Sequence, residues 1–236
     1  MEHRMRFDSK HVVVTGGTGA LGTAVVTALV TEGATVHIPC YSEQEMSAFA
    51  LADHAQVHLT GGVDLTNESS AEAFYQSLPE CWASIHIAGG FSMAPLTETR
   101  AADFEMMLKL NAVTSFLATR EAVKAMRRSD SSGGRVVNVA ARPAIHPTGG
   151  MVAYSTSKAA VVSMTQCLGA ELAPESIFVN AIAPSVMNTP ANRAGMPDAD
   201  HATWPTVEQV ASTILFLASE DNALTHGAVI PVFGVA

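Results

Sequence analysis

Short apolar runs alternate with segments of helical periodicity along most of this chain. The apolar runs are rich in β-branched residues and predict strands at 11–15, 35–39, 55–60, 82–87, 135–139, 177–182 and 228–233. The segments between them predict helices over 20–32, 43–53, 68–78, 101–128, 152–173 and 206–219, with a break near the start of 101–128 as an alternative. This alternation predicts an α/β fold, a doubly wound parallel sheet whose ligand lies at the carboxyl ends of the strands.

One segment departs from this pattern. Residues 184–205 contain five prolines and glycines among polar residues and show little regular periodicity. A segment this long is often a functional lid, and the alternative is a plain surface loop. Because it follows a strand end on the expected ligand side, we predict a substrate lid at about 184–205 within a single domain over 1–236.

Composition excludes several classes of partner. The chain has 13 Lys and Arg against 22 Asp and Glu, a net charge of −9, which argues against a nucleic-acid partner. Its three cysteines, Cys40, Cys81 and Cys167, form no disulfide framework, and no His or Cys cluster has metal-ligand spacing. No apolar run is long enough for a membrane span, and residues 1–9 lack the apolar core of a secretory signal. We therefore expect a soluble cytoplasmic protein without metal, membrane or nucleic-acid partners.

A glycine-rich turn follows the first predicted strand, with the sequence TGGTGALG at 15–22. Gly16 permits a sharp turn, and Gly19 and Gly22 permit close approach of backbone to a phosphate and of helix to sheet. The helix that begins near Ala20 directs its free N–H groups towards the same point. The segment therefore predicts a site for the pyrophosphate of a dinucleotide.

The end of the second strand normally carries the residue that recognises the adenosine ribose. An acid there binds the 2′-hydroxyl of NAD and repels the 2′-phosphate of NADP. In this sequence the position is Cys40, followed by Tyr41, and neither an acid nor an arginine is present there. The choice between NAD and NADP is therefore undecided, and the lack of a repelling acid slightly favours NADP. Asp64, at the end of the third strand, is predicted to accept a hydrogen bond from the adenine amino group, with helix capping as the alternative.

Tyr154 and Lys158 lie four residues apart on a predicted helix and therefore share one face. A cation beside a phenol lowers the phenol pKa, which predicts a tyrosine that exchanges a proton as a general acid. A surface tyrosine beside a lysine is the alternative. The order of the two motifs and their separation of about 130 residues indicate a nicotinamide-dependent oxidoreductase.

These motifs resemble the short-chain dehydrogenase/reductase family over essentially the whole chain. Further matches are Ala88-Gly89, Asn111, and the run from Asn180 through Pro184 to Thr189-Pro190. The resemblance implies a Rossmann-type fold, hydride transfer from NAD(P)H, Tyr154 as proton donor, Lys158 on the nicotinamide ribose, and Asn111 supporting a proton-relay water. It also implies a small-molecule substrate and a homodimer or homotetramer packed through 101–128 and 152–173. The implied cofactor contacts are Gly16, Thr18, Gly19, Ala20, Leu21, Cys40, Tyr41, Asp64, Leu65, Ala88, Gly89, Gly90, Lys158, Pro184, Val186 and Thr189.

Three positions depart from the family pattern. Ala20 replaces a common glycine, and His86-Ile87-Ala88-Gly89 replaces the common Asn-Asn-Ala-Gly. The catalytic serine that the family places thirteen residues before the tyrosine is Ala141 here. Loss of such a donor can cost roughly 10²–10³ in rate. Either His146 or Thr148 replaces it, or the substrate does not need it.

The second option fits the dihydropteridine reductase branch, which the chain resembles in several segments. That branch has an alanine at the position that corresponds to Ala141, and an Ala-Gly-Gly-aromatic segment similar to residues 88–91. The branch also has a lid that is similar to residues 189–200 and is followed by a tryptophan, as Trp204 follows here. It differs in having an acid at Cys40 and no asparagine at Asn111. The predicted function is reduction of a small C=N or C=O substrate, with a quinonoid dihydropterin as the best candidate. The alternatives are a ketone or aldehyde reductase with a substitute donor, and a non-catalytic NAD(P)-binding protein.

Overall fold

A single seven-stranded parallel sheet forms the centre of the protein. The computed structural model describes residues 5–129 and 133–235. The strand order is β3-β2-β1-β4-β5-β6-β7, and neighbouring strands pair in parallel. The strands are β1 (His11–Thr15), β2 (Thr35–Pro39), β3 (Val57–Thr60), β4 (Ala83–His86), β5 (Gly134–Val139), β6 (Ile177–Pro184) and β7 (Val229–Val232). The predicted single-domain, doubly wound α/β fold is confirmed.

Helices cover both faces of the sheet. Val12 and Val14 of β1 pack with α1 and α9 on one face, whereas Val13 packs with α3 and α5 on the other. This alternation explains why β1 is a continuous apolar run. The helices are α1 (Ala20–Thr31), α2 (Glu43–Ser47), α3 (Glu68–Gln76), α4 (Ala101–Met107), α5 (Thr114–Arg128), α6 (Arg142–Ile145), α7 (Val152–Leu172), α8 (Pro190–Gly195) and α9 (Val207–Ala218).

The helical elements differ from the sequence predictions in four places. The predicted helix over 43–53 ends at Ser47, because the chain continues in tight turns that bury Phe49 in the core. The predicted helix over 101–128 is continuous but contains a π-helical segment, Leu108–Val113, between α4 and α5. The predicted irregular segment at 184–205 contains α8, and α6 was not predicted.

The sheet order places a crossover reversal between β1 and β4, the central pair. From β1 the chain continues to β2 and β3 on one side of the sheet, and from β4 it continues to β5, β6 and β7 on the other side. In such sheets a crevice opens at the carboxyl ends of the strands at this point, and ligands bind there. No helix within 5–129 and 133–235 is long and apolar enough to cross a membrane.

A buried hydrogen-bonded chain of side chains crosses the sheet below this crevice. Asn138 Nδ2 donates to Thr165 Oγ1 at 3.0 Å, so its Oδ1 is the atom that faces His86 Nδ1 at 2.8 Å. His86 Nδ1 must therefore carry the proton, and Nε2 accepts from Ser84 Oγ at 2.8 Å. Ser84 in turn accepts from Tyr75 at 2.9 Å. In this arrangement His86 is neutral, with Nδ1 donating and Nε2 accepting.

Acid should destabilise the protein through His86. Burial lowers the pKa of His86 from 6.5 to about 4, so between these values the unfolded chain binds a proton that the folded chain excludes. Stability from this group is complete above about pH 6.5 and falls as the pH drops towards 4, by about 2–3 kcal/mol. Urea unfolding at about pH 7.5 and about pH 5 measures this loss.

The variant His86→Gln isolates this contribution. We expect it to weaken the pH dependence of unfolding, whereas His54→Gln, at an exposed position, should leave it unchanged. Some dependence will remain, since burial and the neighbours His11 and His58 also lower the pKa of His37 to about 4. An unchanged pH dependence in His86→Gln would contradict the assignment.

Candidate active site

The glycine-rich turn after β1 packs tightly against its own helix and the segment after β4. Gly16 has φ +67°, and a Cβ there would lie 2.8 Å from Ala88 N, so the turn can pack against the segment after β4. A Cβ at Gly22 would overlap the Gly16 carbonyl. At Gly19 the nearest atom to a Cβ is 3.5 Å away, which leaves space above the turn. The N–H groups in the first turn of α1 have no acceptor within the helix, so they can donate hydrogen bonds to an anion bound at this end.

The corner expected to recognise the ribose contains an acid that sequence reasoning missed. Cys40 is buried, and burial, with a smaller effect of Glu45, raises the pKa of its thiol to about 12. Tyr41 is 72% exposed. Glu45 Oε1 accepts from Thr18 Oγ1 at 3.1 Å, and Oε2 accepts from Tyr41 N at 3.3 Å. The spacing of Ser42 and Glu45, a capping-box pattern, was the available signal.

Asp64 forms a local turn at the end of β3. Its Oδ1 accepts from Thr66 N at 2.8 Å and from Thr66 Oγ1 at 2.7 Å. These bonds hold the pKa of the Asp64 carboxyl below its usual value. Asn67, whose Oδ1 accepts from Ser70 N, caps α3 instead of Asp64. The side chain of Leu65 lies in the core, so only its backbone can face the crevice.

Asn111 fastens the segment after β4 to the long helices. Its Nδ2 donates to Gly90 O and to Ser157 Oγ, both at 3.0 Å, and its Oδ1 accepts from Gly90 N at 3.0 Å. Gly89 is packed so closely that a Cβ would overlap Asn111 Oδ1. Ser157 Oγ donates to Tyr154 O at 2.7 Å. The π-helical segment therefore connects the Gly89-Gly90 turn with α7.

Lys158 and Tyr154 lie on the buried face of α7. Lys158 Nζ donates to Val139 O at 2.7 Å, and burial lowers the pKa of this amine to about 8. Burial raises the pKa of Tyr154 to about 12. The predicted lowering of the tyrosine pKa by Lys158 is therefore wrong for the structure described. Desolvation of the phenol is the larger effect, since the lysine amine is directed at the Val139 carbonyl.

The replaced serine position is a buried alanine. Ala141 is 5% exposed and lies directly before α6. His146 is exposed, and its ring packs edge-on against Phe233 with centroids 5.9 Å apart. Thr148 is also exposed. Neither side chain forms a hydrogen bond within the part of the chain that the structure describes, so their role as substitutes stays a prediction.

An apolar surface adjoins Tyr154. The Phe91 ring meets the Tyr154 ring edge-on, with centroids 4.9 Å apart. A cavity of about 200 Å³ lies beside the start of α7, lined by residues 92–94 and 150–153 with Thr99 and Asp103. The sequence interpretation used Phe91 only as part of a family match, and it assigned no role to Ser157, which lies within the run from Tyr154 to Lys158. The helical spacing of Tyr154, Ser157 and Lys158 was the signal for the latter.

The segment after β6 is anchored at both ends. Asn188 N donates to Pro205 O at 2.9 Å, and Asn188 forms a bridge with Thr206. Thr189 caps α8 by accepting from the N–H at N3 of that helix. Pro184 ends β6 at the carboxyl edge, and Val186 is 38% exposed. Within the described residues, no group of three or more His, Cys, Asp or Glu is arranged to hold a metal ion.

Comparison with known proteins identifies the family. Residues 10–200 match the family described as short chain dehydrogenase. This span covers most of the chain, so the protein belongs to that family. It is an NAD(P)-dependent oxidoreductase.

Individual relatives span the whole chain. A cyclopentanol dehydrogenase of a Comamonas species is 29% identical, with 97% of each chain covered. The galactitol 2-dehydrogenase of Rhizobium johnstonii is 32% identical over 98% of this chain and 96% of that protein. A solved structure of levodione reductase superposes with a TM-score of 0.86 at 26% identity, over 97% of this chain and 98% of that one. None of these three is named a dihydropteridine reductase, so the resemblance to that branch rests on sequence motifs alone.

Proposed function

We propose that this protein interconverts a small ketone and its secondary alcohol with a nicotinamide dinucleotide. The observation that carries the proposal is the placement of Tyr154, Lys158 and Asn111 around one end of β4 and β5. Lys158 is bound to Val139, the last residue of β5, and Asn111 is bound to Gly90, just after β4. The names of the relatives, which are alcohol and ketone enzymes, support this substrate class.

Tyr154 is proposed to donate a proton to the carbonyl oxygen during reduction. When bound, the nicotinamide supplies or accepts the hydride. Because burial raises the pKa of Tyr154 to about 12, the phenol is protonated at neutral pH and suited to donation. Lys158 is buried as a hydrogen-bond donor and is suited to holding the nicotinamide ribose. Asn111 holds Gly90 and Ser157, and through Ser157 the backbone of Tyr154.

The substrate is proposed to be largely apolar and to bind beneath the segment over 184–205. Phe91 covers one edge of Tyr154, and Met93 and Met151 line the adjoining cavity. The bridge between Asn188 and Thr206 holds the two ends of the segment together, and we propose that α8, which lies between them, closes over the bound substrate as a lid. Exposed apolar side chains on the long helices, Val113 and Phe116, support the proposed homodimer or homotetramer.

A quinonoid dihydropterin is the second candidate substrate. It is favoured by Ala141, since a conjugated C=N acceptor spreads the developing charge and needs no hydroxyl donor at that point. The glycine-aromatic segment 88–91 also matches the dihydropteridine reductase branch.

The variant Ala141→Ser separates the two substrates. For a ketone, a hydroxyl restored at this position should raise kcat/KM by about tenfold, since such donors contribute roughly 10²–10³ where geometry is optimal. For a dihydropterin, the hydroxyl should change the rate little. The serine also suits the N-terminal cap of α6, so the variant should fold.

Steady-state rates of wild type, Ala141→Ser and the control Ala144→Ser, in the same helix, provide the test. An increase confined to ketones and to Ala141→Ser supports the proposal. A fall in ketone turnover with Ala141→Ser, at unchanged stability, would show that another group occupies the place of the serine.

A further inference from the structure

Two acidic side chains leave α2 in different directions. Glu45 turns towards the glycine-rich turn and accepts hydrogen bonds from Thr18 Oγ1 and Tyr41 N. Glu43 turns away, and its Oε1 lies 3.0 Å from the place that a Cβ would take at Gly61. Only one of the two carboxylates therefore faces the turn proposed to hold the dinucleotide.

The carboxylate of Glu45 is held in place. Both of its oxygens accept hydrogen bonds, at 3.1 Å from Thr18 and 3.3 Å from Tyr41. Its own backbone N–H donates to Ser42 Oγ, the cap of α2, at 3.3 Å. The residue is half-buried. A charge fixed in this way acts on a ligand without first being reoriented.

The three segments that form this corner contain no cation, and the nearest cationic effect on their acids is that of Lys109, which helps to lower the pKa of Asp64. Residues 16–22, 40–47 and 61–67 form this corner, and they contain Glu43, Glu45 and Asp64 but neither Lys nor Arg. The negative field already acts on a neighbour, because Glu45 and Glu43 help to raise the pKa of the Cys40 thiol. A phosphate that enters this corner meets negative charge with no partner in these segments.

We infer that Glu45 makes this protein selective for NAD(H) over NADP(H). A carboxylate accepts a hydrogen bond from a ribose hydroxyl and repels a 2′-phosphate. Such an acid is expected directly after β2, where this chain has Cys40. Here Glu45 supplies the carboxylate to the same corner from α2. The slight preference for NADP predicted from Cys40 considered only the end of β2 and not this carboxylate from α2. The inference itself rests on the proposed dinucleotide site.

The size of the preference follows from charge. A unit charge about 5 Å from another, at an effective dielectric constant of about 25 to 50, changes binding by about 10- to 100-fold. We therefore expect NAD⁺ to bind about 10- to 100-fold more tightly than NADP⁺.

The test is calorimetric titration of the full chain with NAD⁺ and with NADP⁺, without substrate. Glu45→Gln removes the charge but keeps an acceptor for Thr18, so NADP⁺ affinity should rise about tenfold while NAD⁺ affinity changes little. Glu43→Gln removes an equal charge from the same helix, but Glu43 contacts Gly61 and not Thr18, so its ratio of affinities should shift less than that of Glu45→Gln. Thermal unfolding of both variants checks that they fold.

Each possible result of these titrations either supports or overturns the inference. Tighter wild-type binding of NADP⁺, or a ratio unchanged by Glu45→Gln, would overturn the inference and leave the proposed function intact. An equal shift in Glu43→Gln would overturn the assignment to Glu45 in favour of net charge. Failure of both dinucleotides to bind would overturn the inference and the proposed function together.

Discussion

Replacement of Tyr154 by phenylalanine is expected to lower turnover by about 10³-fold, because it removes the proton donor and leaves the packing in place. The Tyr154 ring contacts Phe91 edge-on, and this contact survives in the variant. Dinucleotide affinity should stay within about twofold of wild type, since the proposed binding contacts lie on other residues. Steady-state kinetics and calorimetric titration measure the two quantities separately.

Tyr41→Phe is the matched control for this variant. Tyr41 is exposed and contributes its backbone N–H, not its hydroxyl, to Glu45. Turnover at saturating dinucleotide should therefore be unaffected, since any contact of the Tyr41 side chain with the cofactor would change its affinity and not the proton transfer. A Tyr154→Phe protein that keeps its turnover would remove the proposed proton donor. Wild-type protein that binds dinucleotide but reduces no carbonyl compound would favour the non-catalytic alternative.

Replacement of Asn111 by leucine is expected to reduce both stability and turnover. The side chain is 1% exposed and forms three hydrogen bonds, two with Gly90 and one with Ser157. Loss of these bonds should lower the free energy of unfolding by about 3 kcal/mol. Turnover should fall at least about tenfold, because Gly90 and α7 lose their connection. Urea unfolding and kinetics measure both effects.

Two further variants show whether the hydrogen bonds cause these losses. Asn111→Asp keeps the acceptor for Gly90 N, but it loses both donors and buries a carboxylate oxygen against Gly90 O, so it should be at least as destabilised as Asn111→Leu despite its nearly identical shape. Lys109→Ala alters an exposed residue of the same π-helical segment and should change stability by less than about 0.5 kcal/mol. Equal stability of Asn111→Leu and wild type would show that the hydrogen bonds between Asn111 and Gly90 do not stabilise the fold.

The elements that a local pattern determines were predicted well. The central run of β1, Val12-Val13-Val14, is buried on both faces and is therefore apolar, and the strand ends at the glycine turn where expected. Tyr154 and Lys158 are four residues apart on α7, and helix geometry alone brings them to one face. Gly16 and Gly22 are required by close contacts that the spacing of the turn implies. In each case the determining contacts lie within a few residues or within one repeating element.

Features that depend on distant contacts were not predictable in the same way. The bond between Glu45 and Thr18 joins residues 27 positions apart and depends on where α2 docks. The raised pKa of Tyr154 depends on burial by neighbouring segments, which the spacing to Lys158 does not reveal. The π-helical segment has the same apolar spacing as an ordinary helix, so the sequence pattern does not reveal it. Its role in positioning Asn111 is visible only from the hydrogen bonds of that side chain.

The most direct test of the proposed function is the oxidation of NADH and NADPH by the purified protein with a panel of cyclic ketones, aldehydes and quinonoid dihydropterin. We expect turnover with one or more ketones, and its loss in Tyr154→Phe. Turnover on the dihydropterin with none on any carbonyl compound would contradict the proposed substrate. It would also show that Ala141 marks a substrate that needs no second hydrogen-bond donor.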